Sequence, residues 1–232
     1  MPGTLGYVIW FVGSVLELAV VVSAVTKHSF RRYLCLNLYM LLSVVVSAPR
    51  FQALAQYGLH STQYAYVYFY SDALLTIFLY LALTTLYLHV FDEMRVEKYV
   101  RLTALLLLAG TALFSYGVVQ QSSHKMFTVA FSYELSQNLY FVGLVLTYVL
   151  WGAILKLRET RTQLIQLVLS LGIYFSAFAA TYALRNMYPD VKSLGYVAPV
   201  FGCLLPLAWA YAFWRLSPDA RMAPARLVVV PR

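Results

Sequence analysis

The 232-residue chain is 62% hydrophobic and only 11% charged, with a net charge of +8, whereas an ordinary soluble domain runs at about 45–50% and about 25%. No soluble fold of this length hides so much apolar surface, and membrane spans would use up so much of the chain that no stretch remains for a kinase, nuclease or other soluble catalytic domain. The basic balance is accounted for first by the positive-inside rule, so no nucleic-acid partner is invoked.

A spanning helix needs about 20 mostly apolar residues. Runs of that kind between charged or turn-rich breaks predict an all-α integral membrane protein, a seven-helix bundle over 1–215 with spans near 6–26, 33–54, 66–90, 100–119, 132–155, 162–184 and 195–214. The first run has no basic segment before it and no small-residue cleavage site after it, so it is expected as a retained helix and not as a signal peptide. Tyr7 and Trp10 open it as interfacial aromatics, and Glu17 falls near its middle. An ionisable side chain at that depth costs roughly 2.5–3.5 kcal/mol, and no basic residue is expected beside this one. A neutral Glu17, hydrogen-bonded to a Ser or Tyr of a neighbouring helix, is the plainer expectation. The sharper one is a carboxyl that takes part in a proton-coupled step.

The second span carries Cys35 near one end and Pro49 and Arg50 near the other. Tyr64, Tyr66, Tyr68 and Tyr70 lead into the third, which then places Asp72, Thr76, Tyr80 and Thr84 at steps of four on one broad helical face. Just beyond it, His89, Asp92, Glu93 and Glu97 are spaced so that a continued helix would bring them to one metal ion. Arg95, Lys98 and Arg101 stand among them, so a solvated, charge-balanced helix end is the preferred reading and no metal is expected. In the fifth span Glu134 and Asn138 are one turn apart, and the sixth carries Gln166, Ser170, Tyr174, Thr181, Tyr182 and Arg185. Pro199 and Pro206 are expected to kink the seventh, which Trp209, Tyr211 and Trp214 close. The tail, 216–232, holds Pro218, Pro224 and Pro231 among arginines and is expected to lie irregularly against anionic headgroups.

Thirteen of the seventeen lysines and arginines fall in the first, third and fifth loops and the tail, leaving Arg50, Lys125, Arg185 and Lys192 on the other side. This bias predicts an N-terminus outside and a C-terminus in the cytoplasm, and suits a bacterial inner membrane. Cys35 and Cys203 would lie at different depths, so no disulfide is expected.

The polar residues of the third, fifth and sixth spans define a seam richest toward the outside. One reading is helix-to-helix hydrogen bonding with satisfied acid–arginine pairs; the other is a ligand cavity made of Glu17, Arg50, Asp72, Thr76, Tyr80, Glu134, Asn138, Tyr174, Thr181, Tyr182 and Arg185. Several chemistries lack their residues. No lysine lies within a span to form a retinal Schiff base, and His28, His60, His89 and His124 sit at the membrane edges, where they cannot ligate haem across two helices. With no G-x-S-x-G, H-E-x-x-H or Walker A pattern, an enzyme is unsupported and no cofactor is expected. Phe11-Val12-Gly13 recurs as Phe141-Val142-Gly143, with Arg31 and Arg161 at the same offset, as a 3+1+3 parallel repeat would require.

Two functions fit. The first is a sensory module in which a small polar or zwitterionic molecule bridges Arg185 or Arg50 and Asp72 or Glu134, framed by Tyr68, Tyr174 and Tyr182. The seventh span would move about Pro199 and Pro206 and report to a separate cytoplasmic or membrane partner protein. The alternative is a small secondary carrier, proton-coupled through Glu17.

Overall fold

The computed structural model describes residues 4–27, 30–59, 61–94, 96–121, 126–188, 197–216 and 220–221. Among them stand seven α-helices: α1 (Thr4–Thr26), α2 (Leu34–Tyr57), α3 (Thr62–Val90), α4 (Glu97–Gln121), α5 (Phe127–Leu157), α6 (Thr162–Met187) and α7 (Val197–Arg215). Each expected span coincides with one helix, most of which run a few residues past the apolar stretch. The third begins four residues earlier than expected because Ser61 caps it, its hydroxyl accepting the backbone N–H of Tyr64 at 3.1 Å. Of the seven, α1 to α6 are long and apolar enough to cross a membrane; α7 is shorter, at 19 residues, and contains Pro206.

Two helix ends depend on the left-handed backbone region. Gly58 follows α2 at φ +78°, which costs glycine nothing, and Arg158 follows α5 at φ +52°, its N–H returning to the carbonyls of Ile154 and Leu155. Arg158 is therefore a strained stop that its hydrogen bonds offset.

The helices pack as a ring in which α1 meets α2, α2 meets α3, α3 meets α5, α5 meets α6, α6 meets α7 and α7 returns to α1. Helix α4 stays outside this ring, against α5 and more lightly α3. Its attachment is partly polar: Tyr80 of α3 donates to the carbonyl of Ala104 at 2.8 Å, and Asn138 of α5 donates to Ser115 Oγ at 2.9 Å. Its outer face presents Leu105, Leu106, Leu113 and Phe114, as a lipid-facing helix should.

Inside the ring, one half is solidly packed. Met40, Leu79, Leu83, Leu167, Leu171 and Trp209 are almost wholly buried and belong to one continuous core. This half adjoins the end rich in basic residues. There Glu159 and Arg161, in the α5–α6 loop, form a bidentate pair in which Arg161 Nη2 and Nε approach Glu159 Oε2 and Oε1 at 2.6 and 2.9 Å. Arg161 Nη2 also donates to the carbonyl of His89 at the end of α3, and Thr162 N–H donates to the carbonyl of Ala220 beyond α7. The first described residues of the tail are thus strapped to the α5–α6 loop; the rest of the tail, with its prolines, lies outside the described residues, as do His28, His60, Arg95, His124, Lys125 and Lys192.

A continuation of α3 through Glu97, which a shared metal site would need, is not what is found. The helix stops at Val90, a 3-10 turn follows over Asp92–Met94, and α4 starts afresh at Glu97. His89 accordingly turns inward, its Nδ1 2.7 Å from the Thr85 carbonyl and its ring stacked on Tyr33, while Glu97 pairs with Arg101. Among the described residues no group of three His, Cys, Asp or Glu side chains comes together to hold a metal.

Candidate functional site

The other half of the ring is hollow. A cavity of about 420 Å³ starts between Tyr7, Leu54, Tyr64 and Pro199, at the ends of α1, α2, α3 and α7 with few basic residues, and runs inward to Glu17, Tyr39 and Ser43. The packed core lies inward of it.

Each wall is a stripe at helical spacing. From α1 come Trp10, Gly13, Ser14 and Glu17; from α2, Tyr39, Ser43, Ser47 and Arg50; from α3, Tyr64, Tyr68 and Asp72. Residues three or four apart share one helix face, so three adjacent ring helices each turn a polar and aromatic face inward. The opposite wall is Tyr140 of α5, Tyr174 and Phe178 of α6, and Gly202 and Cys203 of α7. Gly13 lets α7 approach, since a Cβ there would lie 3.4 Å from Cys203 Sγ.

Two charged groups are held to each other near the mouth. Arg50 Nη2 lies 3.9 Å from Asp72 Oδ1, its Nε donates to Ser71 Oγ at 2.6 Å, its Nη2 donates to the Tyr68 carbonyl at 3.3 Å, and the guanidinium lies 4.7 Å from the centre of the Tyr68 ring. Arg50 is thus clamped onto α3 by an ion pair, two hydrogen bonds and a cation–π contact. Tyr182 of α6 donates to Asp72 Oδ2 at 3.4 Å. Asp72 therefore links α2, α3 and α6.

Glu17 is placed differently. Ser43 of α2 donates to its Oε1 at 2.6 Å, and its Oε2 is shielded from solvent without any hydrogen-bond partner among the described residues. Trp10 stacks on Phe51 at 5.3 Å, and these are opposite positions on antiparallel α1 and α2. Seven residues separate Trp10 from Glu17, so the carboxyl lies roughly 10 Å further in than this aromatic pair.

The aromatic wall is continuous. Tyr174 and Phe178 stack at 4.3 Å, Phe178 and Tyr140 at 4.8 Å, and Tyr140 and Tyr182 at 5.6 Å, while the hydroxyls of Tyr39 and Tyr174 meet at 3.3 Å across the cavity floor.

The expected site residues thus divide. Glu17, Arg50, Asp72 and Tyr174 line the cavity, and Tyr182 reaches it through Asp72. Thr76 and Thr181 are buried and donate back to the carbonyls of Asp72 and Ala177 on their own helices. Tyr80 and Asn138 face α4, outside the ring. Glu134 is half-buried and Arg185 is exposed at the end of α6; neither lines the cavity nor forms a hydrogen bond or ion pair among the described residues. Pro199 sits in the first turn of α7, where its missing N–H breaks no helical bond, whereas Pro206 lies within the helix. The stripe Tyr39, Ser43, Ser47 and Arg50 on α2 was not anticipated, although steps of four spell it out as plainly as those on α3. Trp10, expected only as an interfacial aromatic, belongs to the cavity wall as well.

The fold and its hydropathy define the class: a multi-span helical membrane protein. No family model matches the chain, no curated protein resembles it significantly, and no solved structure matches it either.

Proposed function

We propose that this chain is a ligand-binding, sensory membrane module whose cavity takes a small polar molecule from the outer side and passes the change to a separate partner at the basic, cytoplasmic face. The observation that carries the reading is the cavity itself, which holds Glu17, Arg50 and Asp72 from three successive helices at one end of the bundle. Ligand pockets are typically concave, largely apolar and furnished with a few converging polar groups. The N-out, C-in orientation follows from the basic bias of the loops and puts the cavity mouth outside. A ligand seated between α2, α3 and α7 would bias the packing of α7, with Pro206 within it, against α1 and α6.

A secondary carrier is the second reading, and the order of the ring favours it. With α4 set aside, the contacts of α1, α2 and α3 are repeated by α5, α6 and α7, and Tyr57 and Met187, which end α2 and α6, stand at the same offset as Phe11 and Phe141. Gly13 and Gly143 break the correspondence, since the first faces α7 and the second faces Phe175 of α6. The cavity would then be the outward-open state of an alternating site.

The test uses purified protein and a panel of small amino acids, amines and sugars, read by thermal unfolding in detergent and by proton movement in sealed vesicles. Ligand-dependent stabilisation without flux supports the sensory module. Substrate-dependent proton flux that is lost in Glu17→Gln establishes the carrier instead, and no stabilisation by any compound overturns ligand binding itself.

A further inference from the structure

The cavity carries two carboxyl groups and one cation, and they are not distributed evenly. Arg50 is paired with Asp72 near the mouth, with its Nε given to Ser71 and an Nη2 donor to the Tyr68 carbonyl. The two charges already offset each other, so the zwitterion clamp expected from charge positions would have to compete with their contact. Arg185 and Glu134, its other suggested members, do not line the cavity. What remains is Glu17, with one oxygen held by Ser43 and the other facing no donor among the described residues.

Buried polar groups are almost always paired, and the carboxyl of Glu17, which lines the cavity with its buried Oε2 unpartnered among the described residues, is incomplete without a cation or donor. A bare metal ion is a poor occupant, because hard cations take six or more oxygens and no cluster of three ligating side chains exists among the described residues. Much of the remaining lining is aromatic, including Trp10, Tyr39, Tyr140, Tyr174 and Phe178. Aromatic faces attract ammonium groups, most strongly when the cation is desolvated, and bury the apolar body attached to it. At about 420 Å³ the space lies toward the small end of the ligand-pocket range.

We infer that the cavity binds a small organic monocation, an amine or quaternary ammonium compound, whose charged head sits against Glu17 while its apolar body lies along the aromatic wall. This rests on the ligand-binding reading above and names its chemical class. Glu17 receives the charge and Ser43 positions the carboxyl.

The test is thermal unfolding of the full chain in detergent with four probes of similar size: benzyltrimethylammonium, benzylamine, benzyl alcohol and benzoate. The two cations raise the unfolding temperature in proportion to the logarithm of their concentration, as ligand linkage requires, and the alcohol and the anion do not. In Glu17→Gln, which keeps an oxygen for Ser43, the cation effect falls at least tenfold in apparent affinity. In Trp10→Leu, a change near the mouth that spares the core, it falls severalfold. A cation effect unchanged in Glu17→Gln, or stabilisation by benzoate in place of the cations, overturns the class of ligand. Should the cations fail while an amino acid or sugar from the wider panel succeeds, the cation class falls and the ligand cavity stands. Failure of every compound removes both.

Discussion

Glu17 on α1 and Ser43 on α2 are joined by a 2.6 Å hydrogen bond that uses one carboxyl oxygen and leaves the other buried without a hydrogen-bond partner among the described residues. The bond fixes the carboxyl's direction. Replacing Ser43 by alanine leaves both oxygens of a half-buried acid without a donor, which costs about 1–3 kcal/mol. Thermal unfolding of Ser43→Ala should show that loss, and Ser43→Thr should recover most of it; equal stability of Ser43→Ala and the parent would mean the bond has no structural role.

Arg50 carries a second test. Without it Asp72 loses its paired cation, so Arg50→Ala should destabilise by roughly 2–4 kcal/mol, a little below the range for a fully buried pair because both side chains keep some exposure. Asp72→Asn in the same chain should restore part of the loss. Because Arg50 also lies over Tyr68 and donates through a planar fork, Arg50→Lys should be an incomplete substitute. Additive effects of Arg50→Ala and Asp72→Asn in a double-mutant cycle would contradict the pairing.

Packing between α5 and α6 is tested at a glycine. A Cβ on Gly143 would meet the ring of fully buried Phe175 well inside van der Waals contact, whereas one on Gly152 meets nothing within 4 Å. Gly143→Ala is expected to destabilise by about 1–3 kcal/mol, and Gly152→Ala to be neutral or mildly stabilising. The pair shares one helix, so equal effects from both would contradict the packing.

How far the sequence foretells this arrangement depends on which property is asked for. Seven helices and their approximate ends follow from hydropathy, because lipid leaves each span no choice but to satisfy its own backbone. Helix rotation is much less legible. These helices are apolar nearly all round, so no amphipathic face announces which side meets which neighbour. Hence Tyr80 and Asn138 were grouped with Asp72, when they turn to α4. The place of α4 outside the ring is legible only as the linking span of a 3+1+3 repeat. Glu134 and Arg185 draw attention by charge, yet neither lines the cavity: Arg185 is exposed near the end of α6, and Glu134, six residues before Tyr140, lies on another side of α5. Glu17, Arg50 and Asp72 were found because a buried charge within an apolar run is conspicuous whatever the rotation. The α2 stripe ending at Arg50 was equally visible and was overlooked because serines and tyrosines look ordinary one at a time.

At the basic end, the side chain of Arg161 donates to Glu159 and holds its carboxyl below the usual glutamate range, with further donation from the backbone N–H groups of Arg161 and Thr160. A carboxylate held low in the folded state contributes stability that is complete above its unfolded value, about pH 4.3, and is lost as pH falls through the lower folded value. Thermal stability measured from pH 6 down to pH 3 should therefore drop less steeply in Glu159→Gln than in the parent, while the two curves run parallel above pH 6. An unchanged acid slope would contradict the pairing.

The most direct measurement of the central claim, a cavity open to the outside, uses Cys203. It lines the cavity together with Gly202, whereas Cys35 lies against the packed core near the basic end. In a Cys35→Ala chain, a membrane-impermeant thiol reagent applied to intact cells should modify Cys203, and Trp substituted at Ser47, within the same cavity, should slow that modification. Modification from the cytoplasmic side alone, or from neither side, would contradict the account.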